Sequence, residues 1–130
     1  MLLFGHRFIE SEKFYHIFDI DAISKTPPSS TIFLEFSEKN LDIIEHLNKN
    51  SIEFALGVQN VTELIYASSL NASYILVSKE LSKTAQSVAE SYLFDAKVLV
   101  HVQEESELEE LALLSIDGVV FPTAIVKINS

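Results

Sequence analysis

Three residues in this chain carry side chains able to move protons or engage a carbonyl at positions where an α/β protein places its sites: Glu35, Lys79 and His101. A carboxylic acid, a primary amine and an imidazole are the types used for proton transfer beside a carbonyl, the amine serving also as electrophile or imine-forming group. Each stands at or just past the end of an apolar run: Glu35 in Ile32-Phe33-Leu34-Glu35-Phe36, Lys79 after Tyr74-Ile75-Leu76-Val77-Ser78, His101 in Val98-Leu99-Val100-His101-Val102. In a parallel sheet the carboxyl ends of the strands carry the ligand crevice, because loops open there and helix N-termini point at it. The same reasoning makes Ser37, Gln59, Ser78 and Gln103 candidate ligand-binding residues. Each also has a plainer reading. A histidine in an apolar run often serves as a hydrogen-bonded core group. A lysine at a helix start can lay its stem on the surface with its head in water, and a glutamate at a strand end can reach solvent.

The elements that must position these residues repeat from residue 31 onward. Apolar runs at 31–36, 52–58, 74–77, 97–102 and 118–121 are continuous rather than alternating, as strands of a parallel sheet covered on both faces should be. Amphipathic stretches with recognisable starts lie between them. Ser37 precedes Leu41, Ile44 and Leu47; Asn60-Val61-Thr62-Glu63 is a capping box before Leu64; Ser78 or Ser82 precedes Ala85, Val88 and Ala89. A fourth helix is expected from about Glu105 to Ile116, and its five leading carboxylates within 104–110 complement the helix dipole. A shift of 44 positions lays Val58-Gln59 on Val102-Gln103, Glu63-Leu64 on Glu107-Leu108 and Leu70 on Leu114. That is either a tandem-built βα array or the ordinary likeness of similarly capped units.

Residues 1–26 read differently. Stretches 2–9 and 13–20, divided by Glu10-Ser11-Glu12, predict a β-hairpin with Phe4 and Phe8 facing Phe14 and Phe18, and Pro27-Pro28-Ser29-Ser30 makes a linker. The expected fold is therefore α/β: one domain over 1–130, with a mainly parallel sheet of about five strands built from βα units over 31–130, flavodoxin-like or half-barrel-like, plus the N-terminal hairpin. A complete eightfold βα barrel takes about 250 residues and is not expected.

Composition removes several classes of function. No cysteine means no disulfide, no thiolate metal site and no cysteine nucleophile, and suggests a reducing, cytoplasmic setting. Only 3 glycines, Gly5, Gly57 and Gly118, stand far apart, so no loop can form the phosphate cradles or dinucleotide turns that need several together. A formal charge of −10 repels nucleic acid, and no apolar run approaches the roughly 18 residues of a membrane span. No cofactor and no metal site is expected. A mean hydropathy of +0.24, high for a small chain, together with exposed sheet edges, predicts a homo-oligomer, most simply a dimer through the aromatic hairpin.

Two stretches resemble known families. His16-Ile17-Phe18-Asp19-Ile20-Asp21 resembles the first motif of haloacid-dehalogenase-type phosphotransferases. That resemblance implies Asp19 as nucleophile, Asp21 as general acid, Ser37 or Ser78 as the phosphate-binding hydroxyl and Lys79 as charge clamp. The unit texture of 58–64 leading to 72–77, and of 102–108 leading to 117–121, is similar to that of phosphate-binding β/α barrels such as the ketodeoxyphosphogluconate aldolases. It implies half-barrel-like construction with Lys79 nearest to a strand-end Schiff-base lysine. Two functions follow from the sequence as expectations. One is a non-catalytic interaction or regulatory domain. The other is a small-molecule enzyme, lyase- or phosphatase-like, working with Glu35, Lys79 and His101.

Overall fold

The computed structural model describes residues 1–129. Eight short strands form one sheet: β1 (Leu2–Phe4), β2 (Phe14–His16), β3 (Thr31–Glu35), β4 (Phe54–Gly57), β5 (Tyr74–Val77), β6 (Lys97–His101), β7 (Gly118–Val120) and β8 (Ile125–Lys127). The spatial order is β1-β7-β6-β5-β4-β3-β2-β8, and every pairing is parallel. The α/β class and the parallel sheet stand; the strand count is eight rather than five. Helices α1 (Leu41–Lys49), α2 (Val61–Ser69), α3 (Lys79–Ser91) and α4 (Leu108–Leu113) follow β3, β4, β5 and β6. After β2 and β7 come only short 3₁₀ turns, Ile20–Lys25 and Pro122–Ala124. Omitting helices in this way is how a chain this short holds eight strands.

The sheet must curl. Between Val120 and Ile125 the chain advances five residues and can span at most about 18 Å, at roughly 3.3–3.6 Å each. On a flat sheet β7 and β8 would stand six strand spacings apart, roughly 29 Å at about 4.8 Å each. Curling brings both ends together: the Phe4 and Phe14 rings, on strands equally far apart along the sheet, meet edge-on at 5.0 Å. At the β1 edge the pairing with β7 is extended by the Phe121 N–H donating to the Phe4 carbonyl and Thr123 Oγ1 donating to the Gly5 carbonyl, each at 2.9 Å. No ladder joins β1 to β8 among the described residues, so the sheet is an open, half-barrel-like curl.

Continuous apolar runs are explained by the two cores this shape creates. The concave interior takes Phe4, Phe14, Phe33, Ala55, Leu76, Leu99 and Val120, one from each of β1 to β7, with Ala124 just before β8. The outer face carries Ile32, Leu34, Phe54, Leu56, Ile75, Val77, Val98 and Val100 against Ile44, Leu47, Leu64, Ala67, Ala85 and Leu111 of the helices. Alternate residues of each strand serve opposite cores, so neither set can be polar.

The N-terminal hairpin is corrected. Its two stretches form strands, but they do not pair with each other: β1 lies parallel to β7 and β2 parallel to β3 and β8. Gly118 helps decide this, since a Cβ there would stand 2.8 Å from the Leu2 Cβ, and its absence lets β1 dock. Phe4 and Phe14 do meet, inside the curl, at 5% and 0% exposure, so they are unavailable as a subunit contact; Phe8 and Phe18 remain exposed.

The 44-residue likeness is a likeness of structure. Glu63 accepts the Gln59 N–H at 2.9 Å, and Glu107 accepts the Gln103 N–H at 2.8 Å. The ends match as well: Ala72 N–H bonds Ala67 O and Ile116 N–H bonds Leu111 O, each just past a left-handed residue, Asn71 (φ 72°) and Ser115 (φ 58°).

Candidate functional site

Four adjacent strands end at one cleft of about 400 Å³. It is lined by Glu35 from β3, Gly57 and Gln59 at the end of β4, Ser78, Lys79 and Glu80 after β5, His101 from β6, and Glu107. Five of the seven residues expected from the sequence therefore share one space: Glu35, Gln59, Ser78, Lys79 and His101. Ser37 stands apart, its hydroxyl accepting the Lys39 N–H at 3.2 Å to start the turn before α1. Gln103 lines a different hollow of about 430 Å³ with His6, Arg7 and Phe121.

Inside the cleft the groups differ in how committed they are. Lys79 Nζ is 3.1 Å from Glu110 Oε2, and hydrogen bonding to that carboxylate raises its pKa, the reverse of what an imine-forming amine needs. Glu107 accepts two backbone N–H groups at the start of its helix, from Gln103 and Glu104, which hold its pKa down. Glu35 is different. It stands exposed at the end of β3, and its carboxylate makes no hydrogen bond and no ion pair among the described residues, while partial desolvation first, and the nearby charge of Glu63 second, push its pKa up. His101 is exposed at the end of β6, and partial desolvation of its ring lowers its pKa. No ion pair links Glu35, Lys79 and His101 to one another, so the space between them is free for a ligand.

Two further histidines lie at the same end of the sheet and were not among the expected site residues. His16, the last residue of β2, packs its ring on Phe33 at 4.6 Å; Phe33 in turn meets His101 at 6.4 Å. Burial, then the charge of Lys127, lowers the His16 pKa. His6 accepts the Phe8 N–H at Nδ1 and sets Nε2 2.9 Å from Glu105. Both escape a reading that makes 2–20 a hairpin; as parallel strands, their final residues join the strand-end positions at once.

Asp19 accepts the Ala22 N–H at 2.9 Å and so starts the 3₁₀ turn after β2, while Asp21 is exposed. A larger hollow, about 760 Å³, lies at the amino end of the strands beside Glu12, Glu53 and Tyr74. Its acidic groups are already engaged: Glu53 accepts from Thr31 at 2.7 Å, and Glu12 lies 3.4 Å from the Tyr74 hydroxyl, whose pKa burial and the two carboxylates push up to about 12. No group of three or more histidine, aspartate or glutamate side chains suited to a metal ion occurs among the described residues, and no helix there is long and apolar enough to cross a membrane. No family model matches the sequence, and no curated protein matches it.

Proposed function

We propose that the chain is a non-catalytic regulatory domain that binds a small polar molecule in the cleft at the carboxyl ends of β3 to β6. One observation carries this reading: Glu35, Gln59, Ser78, Lys79 and His101 line a single space, yet none of the three ionisable groups engages another, and Lys79 is held by Glu110. A preassembled catalytic set would show its base and acid bonded in register. Likeness to the phosphate-binding β/α barrels supports this reading for architecture alone, since the curled parallel sheet and repeated βα units agree with it while no glycine-rich loop is present. Self-association as a dimer is part of the same reading, with Phe8 and Phe18 as the N-terminal phenylalanines still exposed after folding.

A second reading has its own support. Glu35 with a raised pKa and His101 with a lowered one place an acid and a base in the same cleft, the pairing that proton-transfer enzymes use. Amide NMR spectra recorded during titration with pooled small polar metabolites separate the two. Saturable shifts at Gly57, Gln59, Ser78 and His101 without chemical change support the binding domain. Conversion of a pool member, lost in both Glu35→Gln and His101→Gln, replaces it with the enzyme.

A further inference from the structure

Gly57 is an unexpected residue for its place. It closes β4, between β3 and β5, with its φ outside the left-handed region and no turn to make, and glycine inside a strand weakens it. The chain spends glycine sparingly, holding only 3, so a strand glycine asks for a reason. The neighbour supplies one. Gly57 stands directly opposite Glu35 in the β3–β4 register, and a Cβ on Gly57 would collide with the Glu35 carboxylate, lying 2.9 Å from its Cδ and 3.1 Å from its Oε1. Nothing else stands among the three atoms nearest to that point. The Glu35 side chain therefore does not rise straight out to solvent from the end of β3; it leans sideways over β4. Strand spacing is about 4.8 Å, so the lean carries the carboxylate roughly one strand closer to Ser78 and His101 than its own backbone stands.

We propose that Gly57 is a positioning residue, whose missing side chain provides the seat that holds the Glu35 carboxylate inside the cleft. The inference rests on the reading of that cleft as a ligand site and deepens it. A carboxylate with no partner among the described residues, held over β4 in place of a β-forming side chain and still open to the cleft, is the group that receives an N–H or O–H donor of the ligand. The same lean accounts for the partial desolvation that raises the pKa of Glu35, a residue that stays exposed at the strand end.

The test needs no ligand for its first arm. Titration of the Glu35 side-chain carboxyl by carbon-detected NMR is followed in the wild type, in Gly57→Ala, and in Leu93→Gly as a remote control. The added methyl displaces the far end of a flexible side chain, so Gly57→Ala keeps the fold and returns the Glu35 midpoint toward the ordinary glutamate value, while Leu93→Gly leaves it where the wild type has it. An unchanged midpoint in Gly57→Ala overturns the proposal. A second arm holds even if that variant folds poorly: the same substitution is made in a Glu35→Ala background, where the seat is empty. There Gly57→Ala should raise the thermal midpoint, because alanine is the better strand residue. An equal loss in both backgrounds overturns the proposal by showing that the glycine serves packing elsewhere. Loss of the metabolite-induced shifts in Gly57→Ala, with the Glu35 titration moved, ties the seat to the ligand. A moved titration in a protein that binds no pool member leaves Gly57 as the seat of Glu35 and removes the ligand-binding reading instead.

Discussion

Titration at the mouth of the curl is where single residues bear on stability. Glu35 has a folded pKa above its value of 4.5 in the open chain, so the folded state holds a proton longer than the unfolded one. Stability therefore falls as pH rises from 4.5 through the folded value and stays lower above it. Glu35→Gln, which cannot ionise, should melt higher than the wild type at pH 7 and equal to it near pH 3. His16 and His101 act in the opposite sense: folded values below 6.5 mean that stability is lost as pH falls below 6.5 toward them. A urea midpoint that drops between pH 7.5 and 5.5, and flattens in a His16→Gln, His101→Gln double variant, checks this. For Lys79, which is half-buried and paired with Glu110, borohydride trapping with aldehydes and keto acids should label it no more than the other lysines, and Lys79→Ala should melt with the wild type. Much of this cleft was legible in the sequence, because a residue at the end of a parallel strand has only one end of the sheet to occupy. What stayed hidden was the sideways lean of Glu35 over Gly57, a contact between residues 22 positions apart that no local pattern encodes.

Helix ends set the rhythm of the elements. Ser51 (φ 53°), Asn71 (φ 72°), Leu93 (φ 52°) and Ser115 (φ 58°) each follow one of the four helices, spaced 20, 22 and 22 residues apart (71 − 51, 93 − 71, 115 − 93). All four sit where chains commonly use glycine, since a left-handed backbone crowds any Cβ. Leu93 is the clearest case, being 85% exposed and so deriving little from packing. Leu93→Gly should relieve that crowding and raise stability by about 0.5–1 kcal/mol, read as a higher urea midpoint with an unchanged slope. The repeat of about 22 residues was legible because capping residues and apolar runs recur in the sequence; the helix stops were not, because their usual glycine is missing. The N-terminal strands failed for a different reason. A three-residue strand such as Leu2–Phe4 carries too little pattern to reveal its partner, and proximity along the chain favoured a hairpin over a pairing with Gly118–Val120.

Closure is the property of the whole molecule that no element shows alone. The two ends of the sheet are held by Phe4 against Phe14, both against the Tyr74 ring at 5.6 and 5.5 Å, and by the 122–124 turn that leads from β7 to β8, the partner of β2. Phe14→Ala should cost about 3–5 kcal/mol, a large share of the roughly 5–15 kcal/mol that holds a domain, and should open the curl, read as a larger hydrodynamic radius before full unfolding. In the sequence these phenylalanines read as a subunit contact, because aromatic character is visible there and burial is not. With Phe4 and Phe14 inside, the proposed dimer depends on Phe8 and Phe18, 69% and 55% exposed, flanked by Ile9 at 48% and Ile20 at 39%. Side chains of this size at the surface favour association, while a charge of −10 on each copy opposes it. Salt screens the repulsion over about 8 Å at 0.15 M and leaves apolar burial intact, so association should strengthen as salt rises. Light scattering at micromolar concentration should then give a mass near twice 14.6 kDa in moderate salt, falling toward a single copy in Phe8→Ser, Phe18→Ser. A single copy of the wild type at every salt concentration would remove the dimer and leave those aromatic side chains as part of the mouth alone.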